Sequence, residues 1–100
     1  MNQIRFSFKY NRKKKLNRQG KALVQISAYQ PRSQSKTKEK FFSTDVYLKP
    51  DQWDDKNSIV INHPSEGRLN IRIHKLRSDY EQKQVDLFNR FGKCSLQDLE

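Results

Sequence analysis

The spacing of apolar residues changes once along the chain, and this change constrains the fold more than any other feature. Apolar side chains alternate with polar ones in the first half, but recur at intervals of three, four and seven positions between residues 66 and 91. Alternation is typical of half-buried β-strands, whereas the longer spacing marks one face of an α-helix. The sequence therefore predicts strands first and a single long helix after them.

Three segments of the first half carry the strand pattern. They span residues 3–10, about 22–29 and about 41–48. Polar segments separate them, and the first of these ends on Gly20, a residue favoured in turns. Three consecutive strands joined by hairpin-type connections predict an antiparallel meander.

The helical segment is expected to cover the apolar face of this meander. We predict that it begins after Ser65, a favoured N-cap residue, and ends at Gly92. The predicted fold is α+β: a three-stranded antiparallel β-sheet packed against one long C-terminal α-helix. Trp53 follows the third strand and is expected to close the core rather than to stack on a base. The apolar face of the helix is expected to consist of Leu69, Ile73, Leu76, Tyr80, Leu87 and Phe91.

The positive charge of the chain is concentrated in the first half. The 100 residues carry 21 Lys and Arg against 11 Asp and Glu, a formal net charge of +10. Residues 1–50 hold 13 of the basic and 2 of the acidic residues, so the second half is close to neutral. This concentration of positive charge lowers the stability of the fold through self-repulsion, so it indicates a polyanionic partner. We favour binding of a nucleic acid over the alternative that the charge serves only general solubility.

The strand pattern leaves one sheet face open, and we expect this face to bind the nucleic acid. Side chains on the face can contact base edges, whereas cations in the flanking loops can contact phosphates irrespective of sequence. The face is predicted to carry Arg5, Ser7, Lys9, Gln25, Ser27, Tyr29 and Ser43. The first loop supplies Arg12, Lys13, Lys14, Lys15, Arg18 and Lys21, and the second supplies Arg32, Lys36, Lys38 and Lys40.

Catalytic, metal and membrane roles find little support in the sequence. Three turn carboxylates at positions 51, 54 and 55 could hold Mg²⁺ in a nuclease, but their place beside Pro50 explains them equally well. His63 and His74 lack the spacing of metal ligands. A lone Cys94 excludes an internal disulfide and fits a reducing cytoplasm. No apolar run approaches the ~18 residues of a membrane helix, and no signal peptide is visible. We therefore expect no cofactor, no metal and no catalysis.

Two segments resemble a known family: residues 20–28 (GKALVQISA) and residues 41–54 (FFSTDVYLKPDQWD). They are similar to the N-terminal arm-type DNA-binding domain of tyrosine recombinases, especially integrases of Bacteroides-type mobile elements. The resemblance covers about residues 1–93, and residues 94–100 look like the start of a truncated core-binding domain or a tail. Relatives often have proline at position 23 and glycine at position 45, where this chain has Leu23 and Asp45. The loop at 30–40 is longer than the expected tight turn; it is either a tolerated insertion or a segment that follows the DNA backbone, and the four cations among its eleven residues favour the second.

The resemblance implies a non-catalytic domain that binds double-stranded DNA at arm-type sites. Its partners would be this DNA and the remaining integrase domains, which carry the catalytic Arg, Lys, His and Tyr residues. The four tyrosines here are not expected to be nucleophiles, and the protein is expected to be cytoplasmic and nucleoid-associated when bound. An RNA-binding module of ribosomal-protein type is the alternative, in which Tyr29, Phe41 and Tyr47 would stack on bases. A protein-interaction domain is a further alternative, without an apolar patch to support it.

Overall fold

The computed structural model describes residues 4–30 and 38–99 and has the predicted α+β architecture. One antiparallel sheet has the strand order β1-β2-β3, and a separate two-stranded ribbon pairs β4 with β5. Each strand of the ribbon has only two residues, which is too short for the alternating pattern that marks the other strands. The strands are β1 Arg5–Tyr10, β2 Ala22–Tyr29, β3 Glu39–Leu48, β4 Trp53–Asp54 and β5 Ile59–Val60; the helix α1 is Glu66–Phe91, and short 3₁₀ turns span Pro50–Gln52 and Gln97–Leu99.

Helix α1 has the predicted bounds. Gly92 ends it in the left-handed conformation, with a φ of 71°, and donates its backbone N–H to the Phe88 carbonyl at 2.8 Å. Ser65 occupies the N-cap position, but its side chain makes no capping hydrogen bond. Its backbone N–H instead donates to Nδ1 of His63 at 2.9 Å. The helix start is therefore fixed by the preceding turn rather than by a serine cap.

The main core lies between the inner face of the sheet and α1. Trp53 is only 7% exposed, stacks on Tyr10 with ring centroids 6.3 Å apart and meets the edge of Phe8 at 6.1 Å. The predicted core role of this tryptophan is confirmed. The buried members of the cluster are Phe8, Val24, Ile26, Val46, Leu48, Trp53, Val60 and Ile73.

The apolar face of α1 differs from the prediction at two positions. Phe91 was expected to be inward but is 66% exposed, because Leu87 and Phe88 are the residues of the final turns that face the buried side chains. Gln84 is buried in the gap between Tyr80 and Leu87. Its Oε1 accepts the Ile4 backbone N–H at 2.6 Å, and its Nε2 donates to the Ile4 carbonyl at 3.4 Å. A polar side chain thus ties the start of β1 to the helix.

The segment after α1 folds back onto the domain. Cys94, Leu96 and Leu99 are buried in a second cluster with Ile4 and Ala28. The backbone of this segment is held as well, since the Cys94 carbonyl accepts the Gln30 side-chain amide at 2.9 Å. A domain boundary at residue 93 stays a prediction, but residues 94–99 pack as part of the same body as the sheet and helix.

Strand β3 contains a bulge opposite β2. Val24 pairs with Val46 while Gln25 pairs with Ser43, so Thr44 and Asp45 are extra residues on β3. The Thr44 hydroxyl donates to the Val24 carbonyl at 2.8 Å, which satisfies an acceptor inside the interrupted ladder. Asp45 has a φ of 59°, the left-handed region that glycine adopts at least cost. This conformation gives a physical reason for the glycine expected at position 45.

Candidate nucleic-acid interface

Strand pairing brings the predicted face residues onto one surface, on the side of the sheet away from α1. Cross-strand register sets the side chains of this face in rows that run across all three strands. The rows are Arg5–Tyr29–Glu39, Ser7–Ser27–Phe41 and Lys9–Gln25–Ser43. We call these nine residues the open face. It is polar and mixed in charge, with Glu39 as its one carboxylate.

Accessibility differs among the residues predicted to contact bases. Arg5, Lys9, Tyr29 and Ser43 are exposed, and Gln25 is half-buried. Ser27 is 1% exposed, and its hydroxyl donates to the carboxylate of Glu39. It lies on the central strand, between neighbours on both sides, so it is the least accessible of the predicted contacts.

The first connection, residues 11–21, is a structured basic loop. Asn11, with a φ of 51°, accepts the Lys15 backbone N–H on its side-chain oxygen at 2.9 Å. Asn17 accepts the backbone N–H groups of Gln19 and Lys21 at 2.9 and 3.0 Å. These asparagine turns, which suit left-handed and tight conformations, fix the backbone of the loop that carries the predicted cations: Arg12, Lys13, Lys14, Lys15, Arg18 and Lys21.

A cleft of about 350 Å³ separates the basic loop from the open face. Apolar groups contribute to its walls, including Leu16 and Tyr47, which are 40% and 49% exposed. Four cations also line it: Arg12, Lys13, Lys15 and Lys21. The cations of such a cleft can bind an anionic group, while its apolar wall can contact an aromatic ring or a methyl group.

Arg12 lies over the sheet. Its guanidinium carbon is 3.8 Å from the centroid of the Phe41 ring, and Nη1 donates to Oε1 of Gln25 at 3.4 Å. The side chain therefore crosses the central strand from the loop to β3. From the sequence, Arg12 belongs with the predicted phosphate-binding cations and Phe41 has no place in the predicted DNA site. The contact between them depends on the Asn11 turn and the strand register, which charge concentration and residue alternation do not reveal.

The second predicted basic loop is only partly described. Lys36 and Arg32 lie outside the described residues. Lys38 is exposed, and its carbonyl accepts the Gln30 backbone N–H at 2.8 Å; Lys40 is half-buried at the start of β3.

Two of the turn carboxylates, Asp54 and Asp55, accept hydrogen bonds within the β4–β5 ribbon and its turn. Asp54 accepts the Asn57 backbone and side-chain amides at 3.1 and 2.8 Å, and these bonds lower the pKa of Asp54. Asp55 accepts the indole N–H of Trp53 at 3.3 Å. Within residues 4–30 and 38–99, no cluster of three or more His, Cys, Asp or Glu side chains could hold a metal ion. The helices described in this structure include none that is long and apolar enough to cross a membrane.

Comparison with known proteins identifies one family. Residues 9–100 match the model of a family described as Arm DNA-binding domain. Neither the curated proteins nor the solved structures give a significant match to the chain.

Proposed function

The chain belongs to the arm DNA-binding domain family, found at the N-terminus of tyrosine recombinases and integrases, and we propose that its open face enters the major groove of duplex DNA. The family is a non-catalytic DNA-binding module of integrases. The observation that carries the proposed geometry is the position of the structured basic loop directly beside the open face.

The dimensions of the sheet suit this mode of binding. Neighbouring strands lie about 4.8 Å apart, so three strands present a face about 10 Å across. The major groove of B-DNA is about 12 Å wide and displays a distinct pattern of donors and acceptors for each base pair. Lys9 and Tyr29, both exposed on the open face, would then contact base edges, and the basic loop would contact phosphates at the groove rim.

In a full-length integrase, we propose that this domain holds arm-type DNA sites while other domains cut and join the core sites. These other domains would be its protein partners. The domain would then contribute sequence-specific anchoring to DNA integration and recombination, and no chemistry of its own.

The RNA-binding alternative gains no support from the family match. The placement of the aromatic residues also disfavours it. Tyr29 and Tyr47 lie near opposite ends of the sheet, and Arg12 covers Phe41 between them. RNA-binding sheets stack neighbouring bases on adjacent exposed rings, and these three rings form no such platform.

The salt dependence of binding to a random-sequence 30-base-pair duplex tests the phosphate contacts. If about six phosphates are neutralised, log affinity falls with log salt with a slope near −5. Replacing Lys13, Lys14 and Lys15 together by alanine should reduce this slope by about 2 to 3. Arg90→Ala, in the last turn of α1, is the control and should leave the slope unchanged. A flat response in the unmodified protein, or an equal effect of Arg90→Ala, would reject the model.

A further inference from the structure

We propose that Arg12 reads a guanine base and thereby sets part of the sequence specificity of the domain. This inference rests on the proposed function, because it assumes that the open face enters the major groove. It departs from the expectation that Arg12, like its loop neighbours, binds phosphate without regard to sequence.

The backbone before Arg12 turns the side chain onto the sheet. Asn11 adopts a φ of 51°, its N–H donates to the Leu23 carbonyl at 3.2 Å, and its own carbonyl accepts the Lys14 N–H at 2.9 Å. These bonds fix the chain direction at the end of β1. Arg12 therefore extends back across β2, whereas a continued strand would have carried it away from the open face.

Two contacts then hold the guanidinium in place. The ring of Phe41 lies 3.8 Å beneath the guanidinium carbon, a cation–π contact. One of the five N–H donors of Arg12 is directed to Gln25 at 3.4 Å. A side chain positioned in this way loses less conformational entropy when it binds than a free loop arginine does.

The position of the Arg12 guanidinium determines which part of the DNA it can bind. Phosphates line the rim of the groove, whereas base edges form its floor, which faces the central strand of an inserted sheet. The Arg12 guanidinium lies on the open face between the Phe41 ring of β3 and Gln25 of β2, away from the loop that carries it, so a base edge is its nearest partner. Guanine presents the acceptors O6 and N7 side by side, and the arginine fork binds them with two parallel hydrogen bonds. In this arrangement Gln25 and Phe41 are positioning residues.

Selection from a randomised duplex library, using the full chain, tests this role. The unmodified protein should enrich a motif with one guanine preferred on the order of 10- to 100-fold over other bases. Arg12→Lys keeps the charge but lacks the planar fork, so the preference at that position should fall to about 2-fold. Affinity for a random duplex should change by less than about 2-fold, since the phosphate term is retained.

Two further variants distinguish guanine recognition by Arg12 from general binding to duplex DNA. Phe41→Leu removes the ring under the guanidinium while keeping apolar volume, and should weaken the same guanine preference. Lys14→Ala, the matched control from the basic loop, should lower affinity for all duplexes and leave the motif intact.

The outcomes distinguish this inference from the proposed function. An unchanged guanine preference in Arg12→Lys overturns the role of Arg12 alone. Binding without any enriched motif overturns both that role and sequence-specific recognition. No binding of the unmodified protein to duplex DNA overturns the proposed function itself.

Discussion

Asp45 occupies a left-handed backbone position in the β3 bulge, with its N–H donating to the Ser43 hydroxyl at 3.0 Å. L-residues pay roughly 1–2 kcal/mol in this region, and Asp less than most because its side chain bonds locally. We expect Asp45→Ala to lower the free energy of unfolding by about 1 kcal/mol, since it keeps the strain and loses the hydrogen bond that the Ser43 hydroxyl donates to Oδ1 of Asp45 at 3.2 Å.

Asp45→Gly is the matched variant. Relief of strain offsets the greater flexibility of glycine in the unfolded chain, so its stability should stay within about 0.5 kcal/mol of the original. Urea denaturation measures both variants. Equal stability of the alanine and glycine proteins would show that the positive φ carries no cost.

Gln84 is the buried polar link between α1 and the start of β1. Gln84→Leu preserves volume but leaves the Ile4 N–H and carbonyl without partners, which should cost about 2–3 kcal/mol of unfolding free energy. Gln82→Leu provides the same exchange at an exposed site two residues away and should change stability by less than about 0.5 kcal/mol. Thermal and urea unfolding of the two proteins compare them directly. Similar losses in both would mean that the buried hydrogen bonds contribute little.

Among the secondary-structure elements, the sequence predicts those whose position depends on a local pattern of residues. The bounds of α1 follow from helical spacing and the glycine at position 92, and the three long strands follow from alternation. The β3 bulge, the inward Gln84 and the folded-back C-terminal segment depend on which strand pairs with which and on contacts distant in sequence. Local periodicity contains no information about these features.

The reactivity of Cys94 measures whether the C-terminal segment, residues 94–99, is docked on the domain. Burial, and secondarily the charge of Asp98, raises the pKa of the Cys94 thiol, so little thiolate forms at neutral pH. Alkylation by iodoacetamide at pH 7 should therefore be slow, and it should speed up as pH rises. Leu96→Ala removes a buried anchor of the segment and should increase the rate on the order of 10-fold.

Lys93→Ala, at an exposed neighbouring position, is the control and should leave the alkylation rate unchanged. Mass spectrometry of timed samples gives both rates. Rapid labelling of the unmodified protein would indicate that residues 94–99 are not docked in solution.

Across the whole molecule, the proposed binding surface and the supporting helix lie on opposite sides of the sheet. The open face and basic loop lie on one side of the sheet, and α1 lies on the other. Amide chemical-shift titration with a duplex selected from the library should therefore perturb β1–β3 and residues 11–21 and leave α1 nearly unchanged. Shifts concentrated in α1 with silent strands would contradict the sheet-face geometry.

The candidate site was predictable as a set of residues but not as an arrangement. Charge concentration and alternation place most of its members on the open face or in the basic loop. The burial of Ser27 and the reach of Arg12 to Phe41 arise from strand register and from a turn at Asn11. In the proposed binding mode, this geometry would determine which cation contacts a base and which contacts a phosphate.

The bulge in β3 also bears on self-association. A straight, unpaired strand edge invites another molecule to add its own strand, which is a common start of aggregation. Strand β3 is an edge of the sheet, and its outer rim is interrupted where Thr44 and Asp45 depart from the regular ladder. The charges of Glu39, Lys40 and Asp45 further oppose a second strand. The bulge is therefore expected to keep copies of the protein apart at high concentration, as well as to shape the sheet.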